Sequence, residues 1–176
     1  VGFISATVNK DISQYVSQLR KAGAEYIFFF CSWNERHTPA VKPKWRNQAV
    51  KAAESGADII IGNGLNAIAE YDVIECADGR HVPVAYSLGS LIPADPATRF
   101  EKIGALLCVR LKRDTATGKV NTDLCGYIPY AFKDYGTEHR AVLLSDDNAR
   151  YFGLSIYDTL KKQVATALGS KIELAR

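Results

Sequence analysis

The chain has 176 residues, of which 47% are hydrophobic and 23% are charged, a composition typical of a globular domain with a substantial core. Its formal net charge of +3 is too small to indicate nucleic-acid binding by itself, and no apolar run reaches the roughly 18 residues that a membrane span needs. No secretory signal pattern opens the chain. Because residues 1–8 form a predicted core strand, we expect a fragment of a larger domain or a processed product, so the missing signal does not indicate a compartment.

Alternating strands and helices are predicted for the first part of the chain. The pattern predicts a strand over 1–8, a helix ending at Gly23, an apolar strand over 25–31, a helix from Pro43 to Gly56 and a buried strand over 58–61. Two short sequences resemble each other, since each closes a predicted helix and opens a predicted strand. They are Lys21-Ala22-Gly23-Ala24-Glu25 and Glu54-Ser55-Gly56-Ala57-Asp58. This repetition is typical of consecutive β-α-β units, which form a parallel sheet with right-handed crossovers.

The rest of the chain predicts mainly antiparallel strands. We expect a hairpin over 70–76 and 82–88, an irregular loop over 89–100, and two further strands over 103–111 and 120–130. Ser145 is expected to cap a last helix that Gly169 ends. The side chains expected to face the core from this helix are Tyr151, Leu154, Tyr157, Leu160, Val164 and Leu168. The fold class is therefore α/β, a layered sandwich with parallel units first and antiparallel strands after, in a single domain over residues 1–176.

Two predicted loops carry the residues that could do chemistry. They follow neighbouring strands at the carboxyl edge of the sheet, where ligands usually bind in open α/β folds. Glu35 and His37 follow the second strand and Asn63 and Asn66 follow the third, so the four side chains can come within reach of one another. Together they could hold a divalent metal, although only weakly, because amides are poor ligands. The alternative is that the asparagines serve left-handed turns and the charged side chains are solvated.

A basic segment lies between these two strands. The segment has four positive side chains, and within it only Glu35 carries a negative charge. The four are Arg36, Lys42, Lys44 and Arg46. Positive charge at the start of a helix is unfavourable unless an anion binds there. The segment therefore indicates contact with a polyanion or a phosphate, and the alternative is an exposed, solvated loop.

The four cysteines are widely spaced and include no Cys-x-x-Cys pair. We expect buried free thiols, while a disulfide or a metal site stays open for the set Cys31, Cys76, Cys108 and Cys125. A further alternative is that Cys31 is a nucleophile with His37 as its base. No Gly-x-Ser-x-Gly elbow, Walker A motif or dinucleotide-binding fingerprint is present.

Two stretches resemble the CapA family of poly-γ-glutamate capsule biosynthesis proteins, which are related to calcineurin-like metallophosphoesterases. Ala85-Tyr86-Ser87-Leu88-Gly89 is similar to the family's Tyr-Ser-Leu-Gly-Asn, with Ser90 at the final Asn. Gly56-Ala57-Asp58-Ile59-Ile60-Ile61-Gly62 is similar to its Gly-Ala-Asp-x-Val-Ile-Gly. The resemblance covers about residues 1–168 and corresponds to the later part of the family domain. The positions that match family motifs are Ser32, Trp33, Gly62, Tyr86, Ser87, Gly89 and Ser90.

The departures from the family pattern fall at its histidines. Members usually have His-Trp-Gly-x-Glu after the second strand, where this chain has Ser32, Trp33, Asn34 and Glu35. Members usually have Gly-His-x-Pro-His after the third strand, where this chain has Gly62-Asn63-Gly64-Leu65-Asn66. The resemblance therefore implies a degenerate metal site. We expect no cofactor for this chain, and Mn, Fe or Zn only if it is active.

Three functions are compatible with these observations. The first is a CapA-like protein of capsule, poly-γ-glutamate or cell-envelope polymer biosynthesis that acts by binding or assembly and has lost catalysis. The second is a metal-dependent, phosphoesterase-like hydrolase completed by a segment before Val1, and the third is a purely structural module. The resemblance implies an anionic polymer such as poly-γ-glutamate, or other capsule-synthesis proteins, as partners, with no nucleic acid and a cell-surface location.

Overall fold

Nine strands and three α-helices make up the part of the chain that the computed structural model describes, residues 1–35, 39–93 and 101–175. None of these helices is long and apolar enough to cross a membrane. In chain order the elements are β1 (Gly2–Thr7), α1 (Ser13–Lys21), β2 (Ile27–Ser32), α2 (Pro43–Glu54), β3 (Ile59–Asn63), β4 (Tyr71–Glu75), β5 (His81–Ala85), β6 (Ile103–Arg113), β7 (Val120–Asp134), β8 (His139–Leu143), a 3-10 helix (Asp146–Tyr151), α3 (Leu154–Leu168) and β9 (Glu173–Leu174).

The first five strands form one sheet in the order β1-β2-β3-β5-β4. β1, β2, β3 and β5 run parallel, and β4 pairs with β5 as an antiparallel partner. Helices α1 and α2 provide the crossovers between the first three strands, as parallel neighbours require. The predicted parallel β-α-β units are therefore confirmed, and so is the hairpin that follows them.

The junction between α2 and β3 shows why the Gly-Ala-acid sequence recurs. Gly56 has a φ of 104°, a left-handed conformation that glycine adopts at low cost and that closes the helix. The Asp58 carboxylate then accepts hydrogen bonds from the Ile27 backbone N–H at 2.7 Å and from the Arg20 guanidinium at 2.6 Å. Asp58 therefore links the beginning of β2 to the beginning of β3 through the hydrogen bond with the Ile27 backbone.

The two faces of this sheet are covered differently. Helices α1 and α2 pack on one face, where Phe29, Ile60 and the small side chains of α2 are fully buried. On the other face, Ala85 of β5 belongs to a second core that includes residues of β6 and β7. Phe3 of β1 stays 66% exposed on the edge strand and stacks on Phe28, with ring centroids 5.4 Å apart.

The second sheet has the order β6-β7-β8, and β9 adds to β7 as a short parallel strand. The strand pairs β6–β7 and β7–β8 are antiparallel, as the sequence predicted for β6 and β7. α3 packs against β6 and β7, and its side chains Val164 and Leu168 are fully buried in the second core. The molecule therefore has the predicted α/β architecture, with parallel units first, antiparallel strands after and a helix near the end.

The last third of the chain differs from the prediction in three places. β7 continues to Asp134, and β8 follows it in a stretch where the sequence predicted no strand. The last helix begins at Leu154, because a 3-10 helix and Gly153, with a φ of 79°, separate it from Ser145. The expected inward positions Tyr151 and Leu154 were wrong, since these side chains are 38% and 75% exposed.

Candidate functional site

The carboxyl ends of β2, β3 and β5 bring the two predicted loops together. Ser32, the last residue of β2, lies directly opposite Asn63, the last residue of β3. The next backbone N–H, that of Trp33, donates to the Asn63 carbonyl at 3.1 Å. The loops after β2 and β3 are therefore neighbours, while His37 and Arg36 lie outside the described residues.

Three of the family-motif residues form a buried contact that we call the aromatic lock, consisting of Trp33, Gly62 and Tyr86. The Trp33 side chain is 1% exposed, and its Nε1–H donates to the Tyr86 carbonyl oxygen at 2.7 Å. A Cβ atom at Gly62 would lie 2.1 Å from Trp33 Nε1 and 2.2 Å from that carbonyl oxygen. Only glycine leaves room for this hydrogen bond, so the lock joins β2, β3 and the end of β5.

The segment after Tyr86 joins the two sheets. The Leu88 carbonyl accepts hydrogen bonds from the Ala105 backbone N–H at 3.0 Å and from the Tyr130 hydroxyl at 3.4 Å. Gly89 has a φ of 81°, and a Cβ atom there would lie 2.7 Å from the Ile103 carbonyl oxygen. The glycine therefore permits the close approach of β6. In this chain the motif residues Leu88 and Gly89 have a structural role.

The asparagines after β2 and β3 have backbone roles. Asn34 and Asn66 have φ values of 55° and 60°, the left-handed region that asparagine tolerates better than most residues. The Ser32 hydroxyl donates to the Asn34 side-chain oxygen at 3.1 Å. Among the described residues, no hydrogen bond or ion pair joins Asn63 or Asn66 to Glu35. The metal-ligand hypothesis for Glu35, His37, Asn63 and Asn66 stays a prediction.

Glu35 lies between two ammonium groups, and we call Glu35, Lys42 and Lys44 the lysine cluster. The Lys42 ammonium lies 2.6 Å from Glu35 Oε2, and the Lys44 ammonium lies 3.1 Å from Glu35 Oε1. Hydrogen bonds from Lys42 and then Lys44 lower the pKa of the Glu35 carboxyl, so this side chain is ionised at neutral pH. The carboxylate is the anion that opposes the positive charge at the start of α2.

A buried indole lies beneath the same lysines. The Lys42 and Lys44 ammonium groups stand 5.7 Å and 5.9 Å from the centre of the Trp45 ring, within the range of a cation–π interaction. Trp45 is fully buried and packs on Trp33, with ring centroids 5.8 Å apart. Its Nε1 has no hydrogen-bond partner within the part of the chain that the structure describes.

Arg46 differs from the two lysines, because two carboxylates lie close to it. Its guanidinium lies 2.6 Å from Glu70 and 3.6 Å from Asp72, and it also stands over the Tyr86 ring at 5.6 Å. Asp72 additionally pairs with Lys171. The sequence interpretation of Arg46 as polyanion-binding did not anticipate these acids, which are remote in the sequence and leave no local pattern.

Two further hypotheses concern metal ligands and nucleophiles. Among the described residues, no group of three or more His, Cys, Asp or Glu side chains is arranged to hold a metal ion. The four cysteines are free, and Cys31 and Cys76 are buried as expected, whereas Cys108 and Cys125 are only half-buried. Burial raises the pKa of the Cys31 thiol to about 12, so the thiolate that nucleophilic attack requires is absent at neutral pH.

One family model matches the chain. The model described as bacterial capsule synthesis protein PGA_cap matches residues 4–94, a stretch that spans the sheet of β1–β5 with both of its helices and the aromatic lock. No curated protein matches the chain.

Proposed function

The chain belongs to the PGA_cap family of bacterial capsule synthesis proteins, and we propose that it acts by binding an anionic polymer, such as poly-γ-glutamate, rather than by catalysing hydrolysis. The lysine cluster is the observation that carries this proposal. Two ammonium groups that are about half exposed share a single carboxylate at the edge of the sheet where ligands usually bind. A polymer that repeats carboxylates along its length can engage such a cluster many times at a high effective concentration.

The loops after β2 and β3 support binding over metal-dependent hydrolysis. A hydrolytic metal site needs imidazole and carboxylate ligands that hold the ion and activate a water molecule. At this edge, Ser32 bonds the side chain of Asn34, and Asn66 adopts a left-handed turn conformation. Glu35 is held by two lysines. The side chains of Ser32, Asn34 and Glu35 therefore already have partners that compete with metal coordination.

We further propose that the partners of this domain include other proteins of capsule synthesis at the cell surface. Residues 101–175 lie beyond the stretch that the family model matches and build the second sheet with α3. In this proposal, the protein partners bind to this part of the molecule and not to the lysine cluster. This extension of the proposal predicts that a variant with a disabled lysine cluster still binds such partners.

Titration of purified protein with poly-γ-glutamate at low and high salt tests the proposal. We expect saturable binding that weakens as salt rises, because exposed ion pairs are screened. Metal analysis of the same protein by mass spectrometry provides the opposing test. Stoichiometric Mn, Fe or Zn together with phosphoester hydrolysis would contradict the proposal, and so would the absence of polymer binding at low salt.

A further inference from the structure

The carboxylate of Glu35 already makes the contacts that a polymer carboxylate would make. Its two oxygens face different ammonium groups, Oε2 facing Lys42 at 2.6 Å and Oε1 facing Lys44 at 3.1 Å. The Glu35 side chain is 27% exposed, whereas those of Lys42 and Lys44 are 47% and 52% exposed. A carboxylate arriving from solvent therefore reaches the ammonium groups from their open side.

The lysines do not depend on Glu35 alone for their position. Both ammonium groups stand over the indole of Trp45, at 5.7 Å and 5.9 Å from its centre. The indole is fixed, since it is fully buried and packs on Trp33. Removing the Glu35 charge therefore leaves two cations above an aromatic surface, with fewer negative charges nearby.

The charge balance distinguishes this cluster from the neighbouring cation. Arg46 lies near two carboxylates, those of Glu70 and Asp72. Within the described residues, the ion pairs of Lys42 and Lys44 share the one carboxylate of Glu35. Excess positive charge is therefore located at the lysines, where one internal carboxylate already occupies the position between them.

We infer that Glu35 is an internal competitor that occupies the carboxylate position of the lysine cluster, and that a carboxylate of the polymer displaces it on binding. This inference rests on the proposed function, because it concerns how the same cluster is regulated. The free energy of polymer binding is then a difference between two contacts with the lysines. One is the contact that a polymer carboxylate makes, and the other is the contact that Glu35 gives up. A single free carboxylate gains little by this exchange, whereas a polymer gains through its many linked copies.

The test compares poly-γ-glutamate binding by the wild type, Glu35→Gln and Glu25→Gln. Glu25 is a matched control, since it is an exposed glutamate that pairs with Arg113 at 2.6 Å and precedes β2, whereas Glu35 follows β2. Both substitutions remove one negative charge and one ion-paired carboxylate. We expect Glu35→Gln to bind the polymer about three- to tenfold more tightly at low salt, the range that one or two exposed ion pairs supply. Glu25→Gln should bind as the wild type does.

Each outcome bears on the inference. Unchanged or weaker binding by Glu35→Gln, with a wild type that binds, would overturn the inference and leave the proposed function intact. An equal gain in Glu25→Gln would also overturn it, because net charge would then explain the effect. If Glu35→Gln binds the polymer and the wild type does not, the proposed function fails, and the inference fails with it because it concerns how the wild-type cluster binds. If neither the wild type nor Glu35→Gln binds, both the inference and the proposed function fail.

Discussion

Two fully buried tryptophans, with ring centroids 5.8 Å apart, serve different purposes at the same edge of the sheet. Trp33 uses its N–H to bond the Tyr86 carbonyl and so joins the strands. Trp45 makes no such bond among the described residues and lies beneath two lysine ammonium groups. The comparison indicates that the aromatic lock holds the fold, whereas the lysine cluster presents charge. Substitutions in the lock should therefore cost stability, and substitutions in the cluster should change binding.

The largest effect is expected at Gly62. Gly62→Ala should destabilise the protein by about 3 kcal/mol or more, because its Cβ atom would overlap both Trp33 Nε1 and the Tyr86 carbonyl. Urea denaturation measures the change. Gly23→Ala is the control, since that glycine has a φ of 87° but no neighbouring atom within 4 Å, and it should cost about 1 kcal/mol. Equal losses in the two variants would show that the close contact at Gly62 is unimportant.

A smaller effect is expected from the two tryptophans themselves. Trp33→Phe should cost about 1–3 kcal/mol more than Trp45→Phe, because only the first leaves a buried carbonyl without its donor. The two substitutions remove the same atoms from equally buried positions, so each is the control for the other. Denaturation midpoints of both variants provide the measurement. A larger loss for Trp45→Phe would reverse the roles that we assign to the two residues.

The smallest effect is expected from the lysine cluster and should depend on pH. The folded-state pKa of Glu35 is lowered by Lys42 and Lys44, so its contribution to stability is present above about pH 5 and is lost as pH falls through that lowered pKa. The difference in unfolding free energy between the wild type and Glu35→Gln should therefore be small near neutral pH and vanish in acid. Urea denaturation over a pH series measures it. A difference in unfolding free energy that grows as the pH falls would contradict the ion pairs of Glu35 with Lys42 and Lys44.

The sequence predicted much of the first sheet because its signals are local. Glycines close the helices, apolar runs mark buried strands, and the repeated Gly-Ala-acid sequence indicates parallel units. β8 was missed because it is exposed along most of its length and presents no clear apolar face. The start of α3 was missed because Ser145 resembles a helix cap, whereas Gly153 sets the boundary.

The site was predictable only in part for a related reason. The lysine cluster is formed by residues that are close in sequence, so the sequence alone showed two positive side chains near one negative side chain. The hydrogen bond from Trp33 to Tyr86 and the pairing of Arg46 with Glu70 join residues far apart in sequence. Such contacts depend on which strands are neighbours and on where their ends lie. Sequence periodicity gives the strands but not the side-chain partners across them.

The most direct measurement of the central claim is the affinity for poly-γ-glutamate of Lys42→Glu with Lys44→Glu. The control is Lys112→Glu with Lys119→Glu, which changes the net charge equally at two exposed lysines of β6 and the turn before β7. We predict that the cluster variant loses at least about tenfold in affinity at low salt, while the control loses much less. Equal losses in the two variants, or no loss in either, would contradict the claim that this protein binds polymer through the lysine cluster.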